Sequence, residues 1–314
     1  MGVYVNSVIP YESYHEMVSD TYFVDKSRLI EELIPALGKK NRYFCITRPR
    51  RFGKSVMASM VGAFFEKNVD SRELFDRLAI ADNKDYLTHL NKHNVIFIDF
   101  SRTPRKCTDY RQYIDRIQNG ISEDLVSIYK DIEIRMEDAV WDVLQKIFVK
   151  TGDKFIFVMD EWDAVFHMSF ISEDERKEYL LFLKNLLKDQ VYVEFAYMTG
   201  VLPITQYSSG SELNMFVEYS MVRKKKFSEY FGFSEKEVDS LYDIYKNESE
   251  EPRITREDLQ IWYDGYYTVT GKRLYNPRSI VCALTDNELA SYWTSSGPYD
   301  EIFYYIRNNI ELES

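Results

Sequence analysis

Apolar residues fall along this chain in two alternating rhythms. Short unbroken runs, Tyr43-Phe44-Cys45-Ile46, Val95-Ile96-Phe97-Ile98 and Phe155-Ile156-Phe157-Val158-Met159, have the look of strands covered on both faces, and the largely apolar segment 191–198 reads as another. Between them lie longer stretches with apolar positions three or four apart, the helical spacing. The clearest, 54–67, carries Val56, Met57, Met60, Val61, Phe64 and Phe65 as one stripe. Further helices are expected over 25–37, with Gly38 as its stop signal and Pro35 near its end, and over 110–130, 136–150 and 173–188. Short helices are expected between residues 71 and 91. Strand and helix thus alternate through residue 200, the mark of a parallel sheet flanked by helices. After residue 226 the rhythm changes to short helices at 227–231, 235–247, 256–263 and 277–284, with no further sheet strand. Asn276-Pro277 makes a good start for the last, as cap and first helical residue. The expected organisation is an N-terminal arm (1–25) with a strand-like Tyr22-Phe23-Val24, an α/β core (26–226), and a small C-terminal helical lid (227–314).

The chemistry concentrates where strand gives way to helix. After the first run comes Thr47-Arg48-Pro49-Arg50-Arg51-Phe52-Gly53-Lys54-Ser55, followed by the amphipathic segment from Val56. A Gly-Lys-Ser triplet in strand–loop–helix context is a phosphate-binding loop: unpaired N–H groups and the dipole at the helix start attract the anion. Gly53 permits close backbone approach, Lys54 reaches the β/γ oxygens, and the Ser55 hydroxyl can bind Mg²⁺. The usual pattern has glycine where this chain has Arg48, so Arg48, Arg50, Arg51 and Lys54 form an unusually cationic cradle for ATP. Taken alone, such a triplet also occurs at ordinary surface helix starts.

A second constellation lies about a hundred residues on. The run 155–159 ends in Asp160-Glu161, which places two carboxylates at the carboxyl edge of the sheet, where open α/β sheets bind ligands. Asp160 would hold Mg²⁺ through its water shell, and Glu161 would orient the attacking water. The bland alternative is a strand running into acidic capping residues. Thr199 ends the strand expected to lie between the phosphate-loop strand and the Asp160 strand; it is either a sensor of the γ-phosphate or a residue satisfying its own turn with Gly200. Asp163 is either a support for the metal or a turn cap, and Asp99 is read as structural.

Six ordered segments resemble the AAA-ATPase-like family: Tyr22 to Ser27, Arg48 to Ser55, Asp160-Glu161-Trp162-Asp163, Met198 to Ile204, Trp262-Tyr263-Asp264-Gly265-Tyr266, and Tyr275 to Ile280. The resemblance runs in order from about residue 9 to 293, nearly the whole chain. The resemblance implies a P-loop NTPase fold, ATP and Mg²⁺ as cofactors, and hydrolase activity in a bacterial protein. Members carry arginine at the place of Arg48. Most also continue into a C-terminal nuclease-like domain of the PD-(D/E)XK class. The sequence ends at Ser314 within a helical pattern, which the resemblance makes a truncated or short member. No Asp…Glu-x-Lys constellation follows a strand in its last part, so no nuclease activity is expected from this chain alone. The resemblance also brings Arg278 forward as a weak second-sensor candidate.

Composition narrows the setting. With 45% hydrophobic and 16% aromatic residues the chain can build a full core. The 25 tyrosines and 20 phenylalanines are read as core and lid packing rather than a base-stacking surface. Cys45, Cys107 and Cys282 lie far apart, no Cys/His spacing suggests zinc, and Cys45 is read as a buried small hydrophobe. There is no signal-peptide pattern and no membrane-length apolar run, so a cytoplasmic protein without membrane partners is expected. A net charge of −11 argues against broad nucleic-acid binding, leaving nucleic acid and homo-oligomerisation as open partners. The basic run Arg223-Lys224-Lys225-Lys226 is either a solvated turn or a source of a phosphate-directed cation. The four histidines look dispersed, and nothing suggests acyl transfer. Two functions compete: a Mg-ATP hydrolase moving a lid or partner domain, and a nucleotide-dependent switch with negligible turnover. A small-molecule kinase is a remote third.

Overall fold

The computed structural model describes residues 2–135, 137–207, 212–221 and 225–292. They form two compact units: the described residues within 2–18, 25–46 and 55–218 make the first, and those within 19–24, 47–54 and 219–292 make the second.

The first unit is built on the apolar runs. Strands β1 (Tyr43–Thr47), β2 (Asn94–Asp99), β3 (Phe155–Asp160), β4 (Val193–Gly200) and β5 (Val217–Ser220) form one sheet in the order β2-β3-β4-β1-β5. Pairing is parallel between β2 and β3, where Asp99 stands opposite Asp160, and between β3 and β4, where Met159 stands opposite Met198. Every residue of β3 is buried, which explains its unbroken apolar sequence. The expected position of the Thr199 strand is borne out: β4 lies between β1 and β3.

Around the sheet lie α1 (Ile9–Val18), α2 (Leu29–Leu33), α3 (Lys54–Phe65), α4 (Arg72–Phe75), α5 (Tyr86–His89), α6 (Tyr110–Ile128), α7 (Val140–Thr151) and α8 (Glu173–Leu187). Ser172 and Glu175 close α8 with a capping box, and Asp109 caps α6. Tyrosines serve this core with both ends. Tyr43, Tyr113, Tyr179 and Tyr192 are buried, and their hydroxyls donate to the carbonyls of Leu187, Phe100, Trp162 and Leu186 at 2.7–2.8 Å.

The second unit holds α9 (Glu235–Glu248), α10 (Arg256–Tyr263) and α11 (Pro277–Asp286) around a small core that includes Val238, Leu241, Tyr245, Leu259, Tyr275 and Ile280. Capping boxes open α9 and α10, and Asn276 caps α11 with Pro277 following, as expected.

Several expectations are corrected. The N-terminal arm contains α1, and Tyr4 and Asn6 bond to the backbone of β2, whereas Tyr22-Phe23-Val24 is not a strand. The 25–37 segment is helical only over α2 and a following tight turn, broken near Pro35. Residues 227–231 form turns, with Phe227 left-handed at φ 67°. The C-terminal part also contains strands. A hairpin of β6 (Asp264–Tyr267) and β7 (Arg273–Tyr275) follows α10: Tyr266 stands opposite Leu274 and Tyr267 opposite Arg273, across a turn that Gly271 closes at φ 74°.

Candidate nucleotide-binding site

The phosphate loop leaves β1 and opens α3. Its backbone takes left-handed conformations at Arg51 (φ 68°) and Gly53 (φ 83°). Nothing would obstruct a side chain at Gly53, so glycine is required there by its backbone angle rather than by space. Lys54 is buried, and its Nζ donates to the carbonyls of Arg48 at 3.0 Å and Pro49 at 3.1 Å. Ser55 is exposed and Val56 half-buried at the start of α3.

Arg48, grouped with the cationic cradle on sequence grounds, has its guanidinium turned onto backbone carbonyls. It is 0% exposed and donates to Thr47 (2.7 Å), Tyr219 (2.6 Å) and Phe227 (3.1 Å), with Phe231's ring 4.8 Å away. Arg51 donates to the Tyr292 carbonyl, while exposed Arg50 accepts from Asn276 through its own carbonyl. Buried Phe52 meets Tyr266 edge to face at 4.7 Å. The loop is thereby sewn into the second unit by Tyr266 of β6, by Asn276 at the cap of α11 and by Tyr292 beyond that helix.

The acidic edge belongs to the first unit. Asp160 ends β3 and is 5% exposed. The fully buried Thr199 hydroxyl donates to Asp160 Oδ1 and accepts the Glu161 N–H at 3.2 Å. One hydroxyl thus ties together the two acidic residues named in the sequence. Of the two readings of Thr199, a local turn with Gly200 is not what its hydroxyl does. Glu161 is left-handed (φ 49°), a strained conformation for a side-chain-bearing residue, and its bond to Thr199 helps hold it.

Asp163 neither caps nor stands alone: its Oδ2 accepts N–H groups of Val201 (2.7 Å) and Leu202 (3.1 Å), pinning the chain that leaves β4. Gly200 passes under the Trp162 indole so closely that a β-carbon there would lie 2.5 Å from Nε1. Asp99 is structural, accepting from Ser101 and from Arg102 Nε at 2.8 Å. Arg278 is exposed in the first turn of α11. Arg223 and Lys224 lie outside the described residues, and Lys226 Nζ sits 4.9 Å from the Phe227 ring.

One grouping escaped sequence reading. His89 Nδ1 and His93 Nε2 lie 3.1 Å apart, and His93 Nδ1 lies 3.0 Å from Glu194 Oε2. The i,i+4 spacing of the histidines was the available signal. Glu194 joins them because the β3–β4 register shifts between Phe155 and Ile156, inserting it as an extra residue. Among the described residues, no three His, Cys, Asp or Glu side chains are grouped to hold a metal, and no helix is long and apolar enough to cross a membrane.

A parallel sheet with its acidic strand and phosphate-loop strand on either side of a Thr-bearing strand defines a P-loop NTPase fold. The family described as "Predicted AAA-ATPase" matches residues 9–209, and the chain belongs to this AAA-ATPase-like family. A protein of Azotobacter chroococcum mcd 1, described as the uncharacterized protein in vnfD 5'region, is 26% identical over 283 residues, 88% of this chain and 51% of that protein. The chain therefore spans about half the length of this curated relative. Among solved structures it is similar to the ORC1 protein of Aeropyrum pernix in complex with DNA (TM-score 0.44, 13% identity, covering 91% of this chain and 64% of that one). It is similar too to a Walker-type ATPase of Pyrococcus abyssi (0.41, 15%, 91% and 71%) and to Cdc6p of Pyrobaculum aerophilum (0.41, 12%, 83% and 62%). Likenesses this distant transfer neither a site nor an activity.

Proposed function

We propose that the protein binds ATP with Mg²⁺ and hydrolyses it, using turnover to move its C-terminal unit or a partner domain. The observation that carries this reading is the Thr199 hydroxyl joined to both Asp160 and the Glu161 amide on the strand beside that of the phosphate loop. A phosphate-binding protein without turnover has no need of a second carboxylate held in a strained backbone beside the first.

In this reading the backbone N–H groups of the loop from Arg48 to Val56, Pro49 excepted, cradle the phosphates, and Lys54 exchanges its two loop carbonyls for β/γ oxygens. The hydroxyl of Ser55 and the carboxylate of Asp160 are oxygen donors of the kind Mg²⁺ takes alongside water. Bound Mg²⁺ would supply neutralisation of charge on the transferred phosphoryl group. Glu161 orients and polarises the attacking water, and Thr199 fixes the Asp160 carboxylate and the Glu161 backbone and senses the phosphate end. The helical C-terminal unit serves as the nucleotide-ordered lid. A nuclease-like domain of the kind the family resemblance implies is the partner we assign to the whole protein, and assembly into a homo-oligomer is compatible with the same site.

The test is phosphate release from Mg-ATP combined with calorimetric titration, for the parent and Lys54→Ala. The parent should bind and release phosphate, and the variant should lose most of its affinity because a charge-assisted contact to phosphate is gone. Unchanged affinity in the variant overturns the phosphate-loop assignment. Binding without phosphate release by the parent replaces the hydrolase with the nucleotide switch.

A further inference from the structure

Arg48 stands where the general phosphate-loop pattern has glycine, and it is one of the largest fully buried side chains of the protein. A guanidinium stripped of water needs partners for its N–H groups, and here Nη1 and Nη2 meet carbonyls from three separate stretches: Thr47 at the loop entry, Tyr219 in β5, and Phe227 in the turn beyond. A planar fork presents two nitrogens a fixed distance apart, so Nη1 can serve Tyr219 while Nη2 serves Phe227, a span that a single ammonium nitrogen does not cover. The same residue lends its own carbonyl to Lys54 Nζ at 3.0 Å. A continuous path therefore runs from Lys54 through the Arg48 backbone and guanidinium to Phe227. At its far end Phe227 is held at φ 67°, a conformation that a bulky side chain keeps only when its surroundings impose it.

We propose that Arg48 is a positioning residue, whose guanidinium sets the phosphate loop without touching nucleotide and makes the turn at residues 225–231 respond to nucleotide binding. The proposal rests on the nucleotide reading given above. When Lys54 leaves the carbonyls of Arg48 and Pro49 for a phosphate, the Arg48 main chain loses a partner. That change is felt at the Phe227 carbonyl through the guanidinium.

The experiment pairs calorimetry with amide hydrogen exchange at residues 225–231, using a non-hydrolysable Mg-ATP analogue on the parent and on Arg48→Lys. In the parent, exchange at 225–231 changes when the analogue binds. The variant binds about ten- to a hundredfold more weakly, the effect of one misplaced charge-assisted hydrogen-bond set. At saturating analogue it shows no nucleotide-dependent difference at 225–231. A merely structural role would raise exchange with and without nucleotide yet leave the difference in place. Parent-like affinity in the variant, a retained difference at 225–231, or parent binding without any change there overturns the proposal. Should the variant not fold, the parent alone decides by the presence or absence of the change. If the parent binds no analogue at all, the nucleotide reading itself has failed, an outcome recognisable because no binding heat is seen in either protein.

Discussion

At the scale of single residues, Thr199 carries most consequence for its size. Its hydroxyl is the hydrogen-bond partner recorded for the Glu161 N–H and one partner of Asp160. Thr199→Val keeps the shape and removes the oxygen, so the half-buried Glu161 N–H loses its acceptor and Asp160 a donor, at a cost of about 1–3 kcal/mol. Chemical denaturation should show that loss, and phosphate release should fall with it; a variant with parental stability would mean water replaces the hydroxyl at no cost. Glu161→Gln separates binding from chemistry. It keeps shape and hydrogen bonding but not the base, so ATP should still bind while turnover falls ~10²–10⁴-fold. Equal phosphate release by variant and parent removes Glu161 from the chemistry. Gly53-Lys54-Ser55 and Asp160-Glu161 were legible in sequence because each is a local signature, complete within a few residues. The conformation of Arg48 was not, because the carbonyls that it meets lie 171 and 179 residues further along the chain.

At the scale of elements, the apolar runs placed β1 to β4 within a residue or two, since a strand flanked on both sides has no solvent face to encode. The weak edge strand β5, with a half-buried pattern, and the β6–β7 hairpin left fainter marks; their aromatic residues fit a helical core equally well. The bulge in β4 had none, yet it brings Glu194 to His93 and so joins α5, β2 and β4. This junction is sensitive to pH. Burial first, and the neighbouring His93 second, push the His89 imidazole below its ordinary value of 6.5, against the opposing pull of Asp85 and Glu194. The folded protein thus favours neutral His89. That stability is present above the ordinary histidine range and is lost as pH falls through the depressed value. The denaturation midpoint should decline on acidification from neutral pH, and His89→Gln should remove part of that decline. An identical pH profile for the variant would take His89 out of the explanation.

At the scale of the whole molecule, the C-terminal unit is where ordering by nucleotide should appear. Amide protection across α9, β6, β7, α10 and α11 is expected to rise when a Mg-ATP analogue binds, because binding at the loop fixes residues that Asn276, Tyr266 and Tyr292 contact. Bound nucleotide with unchanged exchange in those elements would make the unit a docking platform rather than a lid. The two units are not successive along the chain: the second takes in residues 19–24 and 47–54 before its main part begins at Tyr219. On the ribosome, the first unit's strands emerge while the guanidinium of Arg48 still lacks the carbonyls of Tyr219 and Phe227. A nascent chain can therefore pair β1 to β4 before its phosphate loop is braced by Tyr219 and Phe227. On the nucleotide reading proposed above, full affinity then becomes a late certificate of synthesis, issued once the ribosome has passed the turn at Phe227.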